Sequence, residues 1–139
     1  MSEIFEQISL KPGFMKHNGG LLFKTINEHE YQFKTKIKKT HLNSAGITHG
    51  GFIAAFIDAG AGTAAHKASK GSPCVTISLE LKFISAVRLG QELIGNTKIQ
   101  KKTKSMVFLT CELNVSNKIV ATASSIWKIL KLPGAGPGG

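Results

Sequence analysis

Apolar and polar positions alternate along this chain in three different rhythms. Residues 3–10 repeat at helical spacing, with Ile4, Phe5, Ile8 and Leu10 on one side, and Pro12-Gly13 closes the segment. Runs at 21–26 and 31–39 read as strands. In the second, Tyr31, Phe33 and Ile37 alternate with Lys34, Lys36 and Lys38, a pattern that predicts a lysine face that is solvated or protects an edge. Residues 52–69 are rich in alanine and larger apolar side chains without period-two alternation, which predicts a helix of about five turns. Apolar almost all round, it suits a helix wrapped by a sheet. Gly60 and Gly62 inside it each cost about 1 kcal/mol relative to alanine, and close approach of another backbone is the expected compensation. Lys70-Gly71-Ser72-Pro73 ends the helix. Val75, Ile77, Leu79, Leu81 and Phe83 alternate through the next strand, and a turn follows near 86–90. Further strands are expected at 93–101, 106–115 and 119–130, the last two joined through Ser116-Asn117-Lys118. The order α-β-β-α-β-β-β-β, with no internal repeat, predicts an α+β domain of about six strands.

Length and charge narrow the reading. A chain of 139 residues holds one real core, here assigned to residues 1–131, with the Pro/Gly-rich stretch 132–139 read as a flexible tail. Eighteen basic residues face eight acidic ones, a net charge of +10, which points to a polyanion, a phosphate-bearing ligand or a membrane surface. Cys74 and Cys111 are too few for a disulfide framework, lack metal-ligand spacing, and read as small buried hydrophobes. The N-terminus resembles neither a secretion signal nor a transit peptide. The longest apolar run, 52–65, is too short to span a bilayer. A cytoplasmic protein that neither inserts in a membrane nor binds nucleic acid is expected, because no nucleic-acid motif accompanies the lysines.

Asp58 is the chain's only aspartate, and it sits among Phe56, Ile57, Ala59 and Gly60. Desolvating its carboxylate costs several kcal/mol unless partners compensate, so a carboxylate there points to chemistry. The segment His41-Leu42-Asn43-Ser44-Ala45-Gly46-Ile47-Thr48-His49-Gly50-Gly51 leads into the helix. Asn43 there is able to brace the loop through side-chain-to-backbone bonds. The N–H groups of Gly50, Gly51 and Phe52 at the helix start, backed by the helix dipole, suit a carbonyl oxygen or oxyanion. Eight residues of helix separate Gly50 from Asp58 by about 12 Å, whereas an attacking group must lie within about 3.5 Å of the reacting carbon. If both act on one carbonyl, they come from different subunits, so the chemistry predicts an oligomer.

The string Asn43-x-x-Gly46-x-x-His49-Gly50-Gly51-(six residues)-Asp58 resembles the signature of hotdog-fold acyl-CoA thioesterases, in particular the PaaI-like group of the phenylacetate pathway, and the element order agrees over residues 3–130. The resemblance implies a central helix wrapped by a curved antiparallel sheet, and paired subunits with composite sites, as dimers or dimers of dimers. It implies Asp58 as nucleophile or general base, the Gly50 N–H polarising the thioester carbonyl, Asn43 positioning water or the reacting group, His49 near the leaving sulfur, and Thr76 orienting water beside the carboxylate. It also gives the basic surplus a use, the phosphates of coenzyme A. The segments implied are 83–88, with Phe83, Ser85 and Arg88, and 100–105, with Lys101, Lys102, Thr103, Lys104 and Ser105, while Gly51 gives substrate close access to the backbone. No cofactor or metal is implied. Phe52, Phe56 and Ile57 are expected to line a site for an aromatic or medium-to-long acyl group. A non-catalytic acyl-CoA-binding module is the second reading and a hotdog hydratase the third. The sequence leaves open the acyl group, an acyl-carrier protein in place of CoA, and dimer against tetramer.

Overall fold

The structure, a computed structural model, describes residues 4–131; the tail assigned to 132–139 lies outside them. One long helix, α2 (Gly50–Ala68), lies against a seven-stranded antiparallel sheet. The strands are β1 (Glu6–Ile8), β2 (Leu21–Thr25), β3 (Glu30–Lys36), β4 (Cys74–Phe83), β5 (Glu92–Lys102), β6 (Met106–Val115) and β7 (Lys118–Ile129), with a four-residue helix α1 at Phe14–His17. Their order across the sheet is β1-β2-β3-β5-β6-β7-β4. This is the hotdog fold.

The first expected element is corrected. Residues 6–8 form a strand on β2, with Ile8 opposite Leu21, and not part of a helix. An isolated helix of two turns is marginal, and β2 offers its backbone a full set of partners. Ile4 is 72% and Leu10 59% exposed, while the Phe5 ring lies under the ammonium groups of Lys24 and Lys34, at 4.9 and 4.3 Å. The sheet therefore has seven strands where about six were expected. The other elements lie within a few residues of their expected bounds.

The core forms between the inner face of the sheet and α2. Phe52, Ile53, Phe56, Ile57, Gly60, Ala61, Ala64 and Ala65 are the buried side of the helix. Gly60 and Gly62 are explained by aromatic rings and not by a neighbouring backbone. A Cβ on Gly60 would lie 2.3 Å from Phe33, whose ring is also held against Gly95 and stands 4.9 Å from the ring of Phe56. A Cβ on Gly62 would lie 2.8 Å from Trp127. Gly60→Ala is accordingly expected to destabilise the fold by about 2 kcal/mol despite alanine's better helix propensity. Chemical denaturation reads this directly; a gain in stability would show that the Phe33 ring yields freely.

Among the described residues, two of the sheet's three register shifts decide which side chains of β4 and β5 face the helix. Between Thr76 and Ser78 the register of β4 on β7 shifts by one residue, leaving Ile77 extra. Alternation read back from Leu79 would put Ile77 and Val75 inside and Thr76 outside. The bulge reverses this, so that Thr76 pairs with buried Trp127 on the inner face, and Val75 and Ile77 are 38% and 52% exposed. A second shift, between Ile99 and Lys101 of β5, puts Lys101 on the outer face and Lys102 on the inner one. Thr76, Trp127, Val107 and Lys102 therefore form one row across β4, β7, β6 and β5.

Candidate active site

The loop before α2 is built by its own polar residues. His41 is buried at 1% exposure. Its Nδ1 accepts the Lys38 N–H at 3.0 Å, its Nε2 reaches the Asn18 carbonyl at 2.7 Å, and its ring stacks on Phe52 at 3.7 Å. Asn43 Oδ1 accepts the N–H groups of Ala45 (2.9 Å) and Ile47 (3.2 Å), so the bracing reading holds for its oxygen. Buried Thr48 donates both its N–H (2.8 Å) and its Oγ1–H (2.7 Å) to the Val87 carbonyl, which joins this loop to the turn after β4.

That loop delivers His49 as the N-cap of α2. Its Nδ1 accepts the Gly51 N–H at 2.8 Å, so the ring proton sits on the exposed Nε2. The Phe52 N–H is taken by the His49 carbonyl at 3.0 Å. Of the three donors expected at the helix start, Gly51 and Phe52 are thus committed, and only Gly50 keeps an N–H without a partner among the described residues. A Cβ on Gly50 would lie 3.5 Å from the Phe83 ring, so the end of β4 stands beside this donor.

Two turns further on, Asp58 is half-buried on the less buried side of α2, together with Ala54, Ala55, Ala59, Gly62 and Thr63. Thr76 Oγ1 donates to Asp58 Oδ1 at 2.7 Å. The bond holds one carboxylate oxygen and leaves the other for chemistry. Trp127, which the sequence reading did not single out, packs against Gly62 on the same helix and pairs with Thr76 on the sheet; the glycine in mid-helix was its only trace in the sequence. Thr76→Val, nearly isosteric, is expected to lower kcat about tenfold through loss of a charged hydrogen bond with little change in Tm; steady-state kinetics beside a melting curve tests both.

Phe52, Phe56 and Ile57 do not line the site: they are 7%, 0% and 0% exposed, turned into the core. The surface beside Asp58 is made of small residues, with Phe83 and Ile84, each 56% exposed, at the Gly50 end. The two segments assigned to phosphate also separate. Ser85 and Arg88 lie in the turn bound to the His49–Gly50 end, with the Ser85 N–H on the Val120 carbonyl at 3.1 Å. Lys101, Lys102 and Lys104 lie at the far end, where the Ile129 N–H binds the Ser105 carbonyl at 2.8 Å. Thr103 shapes that turn, its Oγ1 accepting the N–H groups of Ser105 (3.3 Å) and Met106 (3.0 Å). Cys111 is buried, its thiol pushed up to about 12 by desolvation; half-buried Cys74 is also raised, chiefly by burial. Both cysteines are free thiols, and Cys74 is less buried than expected.

Known proteins share this fold. A family model described as the thioesterase superfamily matches residues 45–120, which include Gly50, Asp58 and Thr76. The chain belongs to the thioesterase superfamily. It is 32% identical over 95 residues to a protein of Pseudomonas aeruginosa named as an esterase, covering 68% of this chain and 71% of that one. It is 22% identical over 123 residues to acyl-coenzyme A thioesterase 13 of Mus musculus, covering 87% and 88%. A solved mutant form of the phenylacetic acid degradation protein PaaI from Thermus thermophilus superposes with a TM-score of 0.74 at 20% identity, covering 82% of this chain and 96% of that one.

Proposed function

We propose that this chain hydrolyses the thioester of an acyl-CoA to a free acid and CoA, in a site shared by two copies. The observation that carries the reading is the Asp58–Thr76 bond of 2.7 Å, which holds the chain's only aspartate at the open side of the central helix. Water, positioned by the free carboxylate oxygen, attacks the carbonyl carbon while Asp58 takes its proton. The C–S bond then breaks, and the CoA thiolate leaves to be protonated. In the covalent variant Asp58 attacks first and water opens the resulting anhydride. In either course the negative charge that develops on the carbonyl oxygen is met by the Gly50 N–H and the dipole of α2. The His49 Nε2–H stands on the same helix end, where it suits the leaving sulfur.

The edge strand supports a site completed by two chains. Among the described residues β4 has a partner on one side only, β7, and ten residues of backbone on the other, with apolar Val75, Ile77 and Phe83 exposed beside it. Within one chain, Thr76 at one end of β4 touches Asp58, and Phe83 at the other stands over Gly50. Antiparallel pairing of β4 with its own copy reverses those ends. The Gly50–Phe83 end of one subunit then meets the Asp58–Thr76 end of its partner. The same pairing brings Ser85 and Arg88 of one chain toward Lys101 and Lys104 of the other, so the separated basic segments converge on one set of phosphates, while Lys102 is turned to the inner face.

A panel of acyl-CoA thioesters varied in chain length and aromaticity, read by thiol release, tests the activity. Turnover of at least one member, with thermal stabilisation by free CoA, is expected. Binding of acyl-CoA with no thiol release from any member would establish the non-catalytic module instead.

A further inference from the structure

A second concave site lies at the C-terminal end of α2. A cleft of about 640 Å³ is bounded by the last turn of α2 with Lys70 and Gly71, by the β2–β3 turn, and by the end of β5. Its size is that of a cofactor or nucleotide pocket. Three ammonium groups, Lys67, Lys70 and Lys102, and two imidazoles, His29 and His66, face a single carboxylate, Glu28. None of the three lysines has an ion pair among the described residues. Lys67 lies over the Phe23 ring at 5.8 Å. The apolar floor is Tyr31, Ile99 and Ala68.

The walls of the cleft are fixed. The Ile99 N–H donates to the His29 carbonyl at 2.8 Å and the Tyr31 hydroxyl to the Glu28 carbonyl at 3.1 Å, which ties the β2–β3 turn to β5. The His66 Nδ1 is 2.8 Å from the Ser72 carbonyl, so it donates there and Nε2 is the ring's free nitrogen. Cations near a helix C-terminus complement its dipole, and that accounts for Lys67 and Lys70 alone. Lys102 arrives from β5, turned inward by the bulge at Gln100, and His29 arrives from a turn; neither serves the helix. Lys67 follows Asp58 by nine residues, about 14 Å of rise and about two and a half turns of helix, so its side chain leaves the helix on the side opposite the carboxylate.

We infer that this cleft is a binding site for a phosphate-bearing small molecule of nucleotide size, separate from the thioester site. Lysine ammonium groups bind the phosphate oxygens as mobile point charges, the histidines add hydrogen bonds, and the apolar floor takes the organic part of the ligand. The inference goes beyond the hydrolytic reading and does not depend on Asp58.

Calorimetric titration of the full chain with ADP and, separately, with inorganic pyrophosphate tests it. ADP binds in the micromolar to millimolar range and raises Tm. The double variant Lys67→Gln/Lys70→Gln lowers its affinity at least about tenfold through the loss of two charge-assisted contacts. The same variant keeps kcat/KM for an acyl-CoA within twofold, and Asp58→Asn binds ADP as the wild type does. Pyrophosphate binding as tightly as ADP would assign the site to the anion alone and overturn the nucleotide class. Undiminished ADP affinity in the double variant, or no binding to the wild type, would remove the site. A tenfold rise in KM for acyl-CoA in that variant would make the cleft part of the substrate site and overturn its independence.

Discussion

Asp58→Asn is expected to lower kcat by two or more orders of magnitude and to leave folding and CoA binding intact. The amide keeps a carbonyl oxygen to accept the Thr76 hydroxyl, which now stands 2.7 Å from Oδ1, so the local geometry survives. What is lost is the reacting group. An amide neither takes a proton from water at neutral pH nor attacks a thioester, and the removal of a catalytic base or nucleophile accounts for a loss of about a hundredfold or more. Thiol release under saturating acyl-CoA measures kcat, and a melting curve with CoA measures the intact fold. Turnover near the wild-type value on several acyl-CoAs would place the chemistry elsewhere.

Gly50→Pro is expected to have an effect of similar size by deleting a single hydrogen atom's donor. Gly50 is the first residue of α2, the position where proline's missing N–H and fixed φ are tolerated. His49 before it is extended, at φ −63° and ψ 133°, as a residue preceding proline should be. The added Cβ meets the Phe83 ring at 3.5 Å, an ordinary contact. The helix should therefore form as before, while the oxyanion loses its backbone donor, an effect of about 10²–10³ in kcat. A Gly50→Ala control keeps the N–H and separates loss of the donor from crowding by a side chain. Equal kcat in the proline variant and the wild type would show that the carbonyl is polarised by another group.

The residues that carry these effects were legible as a string, because Gly50 and Asp58 sit at fixed spacing on one helix and helical geometry is nearly rigid. The buried face of that helix was not. An apolar residue next to Asp58 looks like pocket lining until the sheet covers it, and Phe52, Phe56 and Ile57 all turn inward. Thr76 stands out only through family resemblance, whereas its own strand's alternation points it outward. Only the extra residue at Ile77 turns it toward Asp58, and bulges leave little trace in a hydrophobic pattern. The same blindness applies to Lys102 on β5. At the N-terminus, a short apolar run fits a helix and a strand equally well, and pairing with β2 decided for the strand. Gly60 and Gly62 announced a close approach, but which rings fill it, Phe33 and Trp127, depends on contacts from distant parts of the chain.

If one catalytic site takes its carboxylate from one subunit and its helix N-terminus from another, mixing two disabled variants restores activity. Asp58→Asn and Gly50→Pro are each made alone, then denatured together in equal amounts and refolded. Random pairing makes half of all dimers mixed, and in each mixed dimer both defects fall in one site while the other is wild type. The account predicts that the mixture recovers about a quarter of wild-type kcat per chain, since activity that neither subunit holds alone returns on association. Activity no higher than the mean of the two variants would show that Asp58 and Gly50 of the same chain serve the same site, and would contradict it.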